Sequence, residues 1–223
     1  GGIMRRPGTT YKATLPGASR IIPFIFSNDE LAVFVLSNNR LDVYGSDGVA
    51  IQTNITSNCN WTTAQLFELN FAQFGDTVFL THRNNPIREI KRTSASTFTV
   101  SAFTFEEDTS VSVGGRNKTT QPFYKYAVAS LTITLSSHAT GTGRTLTASA
   151  DFFTTNHINT YLKINGKQVF ITARTNATEA TATVLEDVGT TGPHADFEEQ
   201  LISAERGFPQ AVTFHDNRLY FAG

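Results

Sequence analysis

The chain has 223 residues, enough for one large all-β domain or two smaller ones with a substantial core. Its formal net charge of −1 supplies no global pull toward nucleic acid or an anionic membrane. With 18 Phe, 6 Tyr, abundant Thr and only 17% charged residues, it lacks the Glu/Lys/Leu/Ala-rich windows of amphipathic helices, which leaves a β-sheet protein.

Residues 1–19 (GGIMRRPGTTYKATLPGAS) are punctuated by Gly and Pro and are expected to form an extended N-terminal arm. It is either a connecting segment or a strap on a neighbouring subunit. From Arg20, Ile22, Phe24 and Phe26 alternate with Pro23 and Ile25, and Leu31, Val33 and Val35 with Ala32, Phe34 and Leu36. Both faces are apolar, as in strands covered on each side. Ser27-Asn28-Asp29 and Ser37-Asn38-Asn39 supply turns, and a third strand runs from Arg40 to Tyr44. Residues 49–63 are expected to be a polar connection. Four strands follow, at Leu66–Phe71, Thr77–Thr81, Ile87–Arg92 and Thr97–Phe105, the complement of one propeller blade.

Residues 106–127 carry an acidic cluster and the loop Gly114-Gly115-Arg116-Asn117-Lys118, the expected lead into an inserted domain. A Thr-rich set of strands then spans 128–190: Ser130–Ser136, Gly143–Ala148, Tyr161–Ile164, Gln168–Arg174 and Ala180–Leu185. Asn165-Gly166 is a two-residue hairpin signal, because a type I′ turn needs positive φ at both central positions. Asp151-Phe152-Phe153 followed by Asn156-His157 is expected to form one short helical turn. The final FPQAVTFHDNRLYFAG (208–223) repeats the hairpin phrase of 21–48 and 66–92, and it is expected to continue into a further strand beyond Gly223. The expected organisation is therefore an arm (1–19), propeller-like blades (20–107), an inserted small β-barrel or β-sandwich (108–205) and the start of another blade (206–223).

Little in the chain promises chemistry. Adjacent carboxylates (Glu106-Glu107, Glu198-Glu199) point to opposite faces of a strand, so they are poor partners on one substrate and are expected to be solvated loop charge. His82, His138, His157, His194 and His215 lack metal-ligand spacing and are expected to be separate surface or hairpin residues. Cys59, the only cysteine, excludes an intrachain disulfide and a Cys-based zinc site; it has no local base and is expected to be an inert thiol made in a reducing cytoplasm. Gly141-Thr142-Gly143-Arg144 lacks the spacing and following helix of a phosphate loop and is expected to be a hairpin turn. Asn54, Asn60, Asn117 and Asn176 begin Asn-x-Ser/Thr triplets, which matter only in a secreted protein. Arg5, Arg6, Lys12 and Arg20 are the one basic concentration, expected to be solvated or paired with a carboxylate. No catalytic, cofactor-binding or metal-binding residue is assigned, no apolar run is long enough to span a bilayer, and no secretory signal pattern opens the chain.

The segments MRRPGTTYKA (4–13), SRIIPFIFSNDELAVFVLSNNRLDVY (19–44), AQLFELNFAQFGDTVFLTHRNNPIREIKR (64–92), ATGTGRTLTASADFFTTNHINTYLKING (139–166) and GFPQAVTFHDNRLYFAG (207–223), in that order, resemble the tail tubular protein B, or nozzle protein, family of short-tailed bacteriophages. Residues 49–63 and 106–127 carry no part of the resemblance. It implies a non-enzymatic, cofactor-free virion protein that forms a ring, usually six-fold, below the portal–adaptor ring. Such a ring continues the channel for double-stranded DNA, without sequence specificity, and carries tail fibres or spikes. The implied subunit has a propeller-like body with inserted β domains. The competing class is a carbohydrate- or receptor-binding β protein, which would want clustered exposed aromatic rings; Trp61 stands alone, and Tyr124 and Tyr126 are the one close tyrosine pair. A polysaccharide-degrading propeller enzyme would need convergent carboxylates, which are not visible.

Overall fold

The computed structural model describes residues 8, 11–27 and 31–223. Their secondary structure is all-β apart from two short 3-10 turns. They divide into two compact units, one formed by the residues up to Phe103 together with Pro209–Gly223, the other by Thr104–Phe208.

In the first unit, β1 (Arg20–Ile25), β2 (Leu31–Ser37), β3 (Arg40–Gly45) and β4 (Ala50–Ile55) form an antiparallel meander paired in sequence order. β5 (Asn70–Phe74), β6 (Thr77–His82), β7 (Asn85–Ser94) and β8 (Thr97–Ala102) repeat it. The two sheets share one core. Phe24 stacks on Phe34 at 5.0 Å between ring centroids, and Phe98 of β8 meets both edge-on at 5.6 and 5.4 Å. Such edge-to-face contacts satisfy the aromatic quadrupole while burying large apolar area. β4 corrects the expectation of a polar connection at 49–63. Its polar sequence AIQTNI hides a strand that is half-exposed at the sheet edge, where burial does not demand apolar residues. The expected strand at Leu66–Phe71 starts instead at Asn70, because Thr63–Gln65 form a 3-10 turn whose leading Thr62 N–H is held by Gln65 Oε1 at 2.9 Å.

The outer face of β1 also departs from expectation. Ile22 and Phe24 are buried, but Ile21 and Ile25 are 59% and 58% exposed, so this strand is covered on one side only.

The second unit opens with β9 (Glu107–Val113) and β10 (Arg116–Thr119), a hairpin where a loop was expected. Gly114 and Gly115, at φ 59° and 75°, supply the left-handed pair that its two-residue turn requires. Seven further strands form one antiparallel sheet: β11 (Phe123–Tyr124), β12 (Ile133–Leu135), β13 (Gly141–Ala148), β14 (Tyr161–Ile164), β15 (Lys167–Arg174), β16 (Glu179–Val184) and β17 (Phe197–Gln200). Their order is β11-β17-β14-β15-β16-β13-β12, and the sheet is open rather than a closed barrel. Asn165 and Gly166, at φ 49° and 74°, make the β14–β15 turn. The expected strand at 130–136 is confined to Ile133–Leu135, since Leu131 N–H turns back onto the Val128 carbonyl at 3.0 Å. A second 3-10 turn, Thr155–His157, follows the phenylalanines at 152 and 153. This unit has its own core, around Leu146, Phe153, Leu162, Ile171 and Phe197.

The chain then re-enters the first unit as β18 (Ala211–His215) and β19 (Arg218–Ala222), a hairpin turned by Asp216 and Asn217 at φ 48° and 58°. It lies against the second sheet. Phe214 stacks on Phe74 at 5.0 Å and Phe221 meets Phe103 at 5.3 Å, while Thr81 Oγ1 donates to the Gln210 carbonyl at 3.0 Å. The first unit is thus three β layers joined by phenylalanine faces.

Candidate functional site

Titratable side chains converge in the second unit at β17. Glu199 faces inward, with its side chain 3% exposed, whereas Glu198 faces out beside Lys163. That opposition follows from strand alternation, but the expectation of solvated charge fails for Glu199. Arg206 grips it as a fork, Nε to Oε2 at 2.8 Å and Nη2 to Oε1 at 2.5 Å. His157 reaches the same Oε2 from Nε2 at 3.2 Å. Because Nδ1 of His157 accepts the Thr154 N–H at 3.0 Å, the ring proton sits on Nε2 and is donated to Glu199. Burial pushes the Glu199 pKa up, yet the hydrogen bonds from His157 and Arg206 and the Arg206 charge outweigh it, and the carboxyl rests below its ordinary value.

Thr154 Oγ1, His157 and Glu199 superficially line up as hydroxyl, imidazole and carboxylate, with Oγ1 3.2 Å from Nδ1. Their hydrogen bonds do not make a nucleophile. Thr154 Oγ1 donates to Glu205 Oε2 rather than to the imidazole, and it accepts the Asn156 N–H in the cap of the 3-10 turn. The Nδ1 lone pair that a base would use is taken by a backbone amide, and the ring is 2% exposed. The cluster ties together a capped turn, a strand and a loop.

The remaining residues singled out in the sequence are scattered. His82 and His194 are buried like His157, which corrects the surface expectation for all three; His138 and His215 lie outside. His82 bridges Glu68 at 2.9 Å and the Asn84 N–H at 3.1 Å, and His194 Nε2 donates to the Thr190 carbonyl at 3.0 Å. Buried polar rings in these positions satisfy backbone groups that would otherwise be orphaned. Among the described residues, no three His, Cys, Asp or Glu side chains are grouped to hold a metal ion. Cys59 is buried, its Sγ 3.3 Å from the Ile55 carbonyl, and burial pushes its thiol up to about 12.

Arg20 is half-buried, and among the described residues it pairs with backbone carbonyls rather than with a carboxylate. Its guanidinium donates to the carbonyls of Leu66 and Leu69, closing the 3-10 turn, and lies 5.6 Å from the Phe71 ring. Arg5 and Arg6 lie outside the described residues. At 141–144 the strand bulges: a Cβ on Gly141 would stand 2.6 Å from the Arg144 guanidinium, so the glycine makes room for that side chain. Asn60 accepts from Arg88, Asn117 donates to Glu107 and Asn176 caps the Thr178 N–H.

Among the described residues, a cleft and an aromatic pair stand out at the surface. A cleft of about 350 Å³ in the first unit is bordered by Phe26, Leu31, Asp47, Val49 and Arg92. In the second unit, Tyr124 and Tyr126 are 58% and 38% exposed and meet edge-on at 4.9 Å. The Arg206 guanidinium backs Tyr126 at 4.4 Å. The pairing of the tyrosines was visible in the sequence; their anchoring by Arg206 was not, because it runs through the fold.

No helix among the described residues is long and apolar enough to cross a membrane. The chain matches no family model, and no curated protein shows significant similarity to it.

Proposed function

We propose that the chain belongs to a structural assembly protein, a tail nozzle subunit of a short-tailed phage, with a propeller-like body and an inserted β domain. The observation that carries this reading is the layering of the first unit. Two four-stranded meanders and a hairpin stack through Phe24, Phe34 and Phe98 on one side of the second sheet and through Phe74, Phe79, Phe103, Phe214 and Phe221 on the other. Consecutive four-stranded antiparallel sheets packed face to face are how propeller blades are arranged. The polar clusters described above serve the fold, as suits a subunit whose work is assembly rather than turnover. In this reading the protein is made in the host cytoplasm and resides in the virion tail. It assembles with copies of itself, the portal–adaptor ring and fibres or spikes, and it encloses double-stranded DNA through heterologous contacts that close by rotation.

Electron microscopy of the full-length protein mixed with a portal–adaptor complex tests this. A ring added to the end of that complex is expected; free monomers beside unaltered complexes would refute the assignment.

The exposed Tyr124–Tyr126 pair supports a second reading, a glycan- or receptor-binding β protein, because aromatic faces stack on sugar rings. Specific signals on a glycan array that vanish in Tyr124→Ala would favour it.

A further inference from the structure

Residues 12–15 run as a strap along the outer face of the first sheet. Ala13 and Leu15 are half-buried and alternate with exposed Lys12, Thr14 and Pro16, so one edge of the strap faces inward. With Val33 and Val35 of β2 and Tyr44 of β3 they border an apolar slot of about 270 Å³. Val33 pairs with Tyr44, and side chains two apart on β2 share a face, so these three form one seat. Val35 points away from the core shared by the two sheets and is still 2% exposed. Gly48, at φ 82°, lets the strap pass so close that a Cβ there would stand 2.8 Å from the Lys12 Cβ. The hold is made of side chains. Among the described residues, the hydrogen bonds of the strap and its bend stay within them, Tyr11 Oη with Thr14 Oγ1 at 2.5 Å and Ser19 Oγ to the Gly17 carbonyl at 2.9 Å. The strap joins β1 through a bend at 16–18, where Gly17 stands at φ 141° with open space around its Cβ position. Only glycine takes that backbone without strain, so the bend rests on its conformational freedom alone.

We propose that this seat accepts the strap of a second copy of the chain, and that Gly17 is the hinge deciding between the two placements. The inference does not depend on the nozzle reading. What fits the seat is residues 12–15 of this sequence, and the identical segment of a neighbour makes the same contacts. Ile21 and Ile25 of β1, on the same face as Val35, are 59% and 58% exposed and add apolar area beside the seat for the neighbouring body. With the strap contacts equal, the choice falls to the hinge and to concentration. A strap on a short linker competes at an effective concentration in the millimolar range. It therefore folds back in dilute solution, and it gives way when a neighbour is held as close or when the bend is penalised.

Cysteine cross-linking of the full chain tests the exchange. One copy, isotope-labelled, carries Leu15→Cys, the other carries Val33→Cys, and the mixture is mildly oxidised before mass spectrometry of the linked peptides. Cys59 is buried and stays out of the reaction. A disulfide from position 15 of one copy to position 33 of the other is expected. Its yield is expected to rise about tenfold when Gly17→Ala, which strains the bend and touches no contact, is added to the strap-bearing copy. Linkage only within a copy carrying both cysteine substitutions, with none between copies in either background, would overturn the proposal. Linkage between copies that Gly17→Ala leaves unchanged would overturn it as well, by removing the hinge. Should Val33→Cys not fold, Ile21→Cys at the edge of the same seat is read by the same outcomes.

Discussion

Gln168 and Thr119 exchange two hydrogen bonds: Thr119 N–H donates to Oε1 at 2.9 Å, and Nε2 donates to the Thr119 carbonyl at 2.7 Å. The side-chain amide thus stands in for the peptide group of a neighbouring strand and docks the β9–β10 hairpin on β15. Gln73 makes the same reciprocal pair with Ile25, at 3.1 and 2.8 Å, between the two meanders of the first unit. Burial separates the two cases. Gln168 is 4% exposed and Thr119 7%, whereas the Gln73 pair lies at the surface, where water can replace either partner.

Gln168→Leu is therefore expected to orphan a buried N–H and a buried carbonyl, costing the second unit about 2–4 kcal/mol at about 1–3 kcal/mol for each unmet group, reduced where water enters. Gln73→Leu is expected to cost about 1 kcal/mol or less. Urea unfolding followed separately in each unit measures both, and equal losses would contradict the burial argument.

Phe98 joins the two meanders through edge-on contacts with Phe24 and Phe34 and is 2% exposed. Phe98→Ala is expected to lower the stability of the first unit by about 3–5 kcal/mol, the usual cost of a buried phenylalanine and its cavity. The second unit has a separate core, so its transition is expected to stay in place. A single transition shifted as a whole would show that the units unfold together.

The turns were legible because their chemistry is local. Asn165-Gly166 and Asp216-Asn217 adopt the left-handed geometry that their residue types tolerate. The apolar strands of the three hairpin phrases were legible for a similar reason, since burial selects residues at a period of two. β4 and the β9–β10 hairpin were not, because edge strands are exposed and accept polar sequences such as AIQTNI and EDTSVSV. The buried histidines and Glu199 were missed on different grounds. The partners of Glu199 stand apart in sequence, Arg206 by seven residues and His157 by 42, and neither spacing forms a recognisable motif.

Cys59, held near 12 by burial, is expected to be unreactive in the folded chain. At pH 8 its thiolate fraction is about one in ten thousand, against about one quarter for an ordinary thiol. Ellman's reagent is expected to label it only after denaturant is added. Prompt stoichiometric labelling of the native protein would show that the thiol is accessible.

Glu199 makes the second unit acid-sensitive. Its pKa is depressed in the fold relative to the ordinary 4.5, so the stabilisation is in force above that value and is lost as the pH falls through the folded value. Stability of the second unit is expected to decline from about pH 5 downward. Glu199→Gln is expected to cost about 2 kcal/mol at neutral pH, discounted because the abandoned Arg206 is partly hydrated, and to flatten the acid limb. Parallel wild-type and variant curves through the acid range would contradict this assignment.

The proposed role as an assembly subunit is tested most directly by native mass spectrometry of the full-length protein titrated onto an isolated portal–adaptor complex. Cooperative addition of a fixed number of copies, with no partly filled rings at saturation, is the expected result. Binding of single copies in random number, or no binding at all, would contradict it.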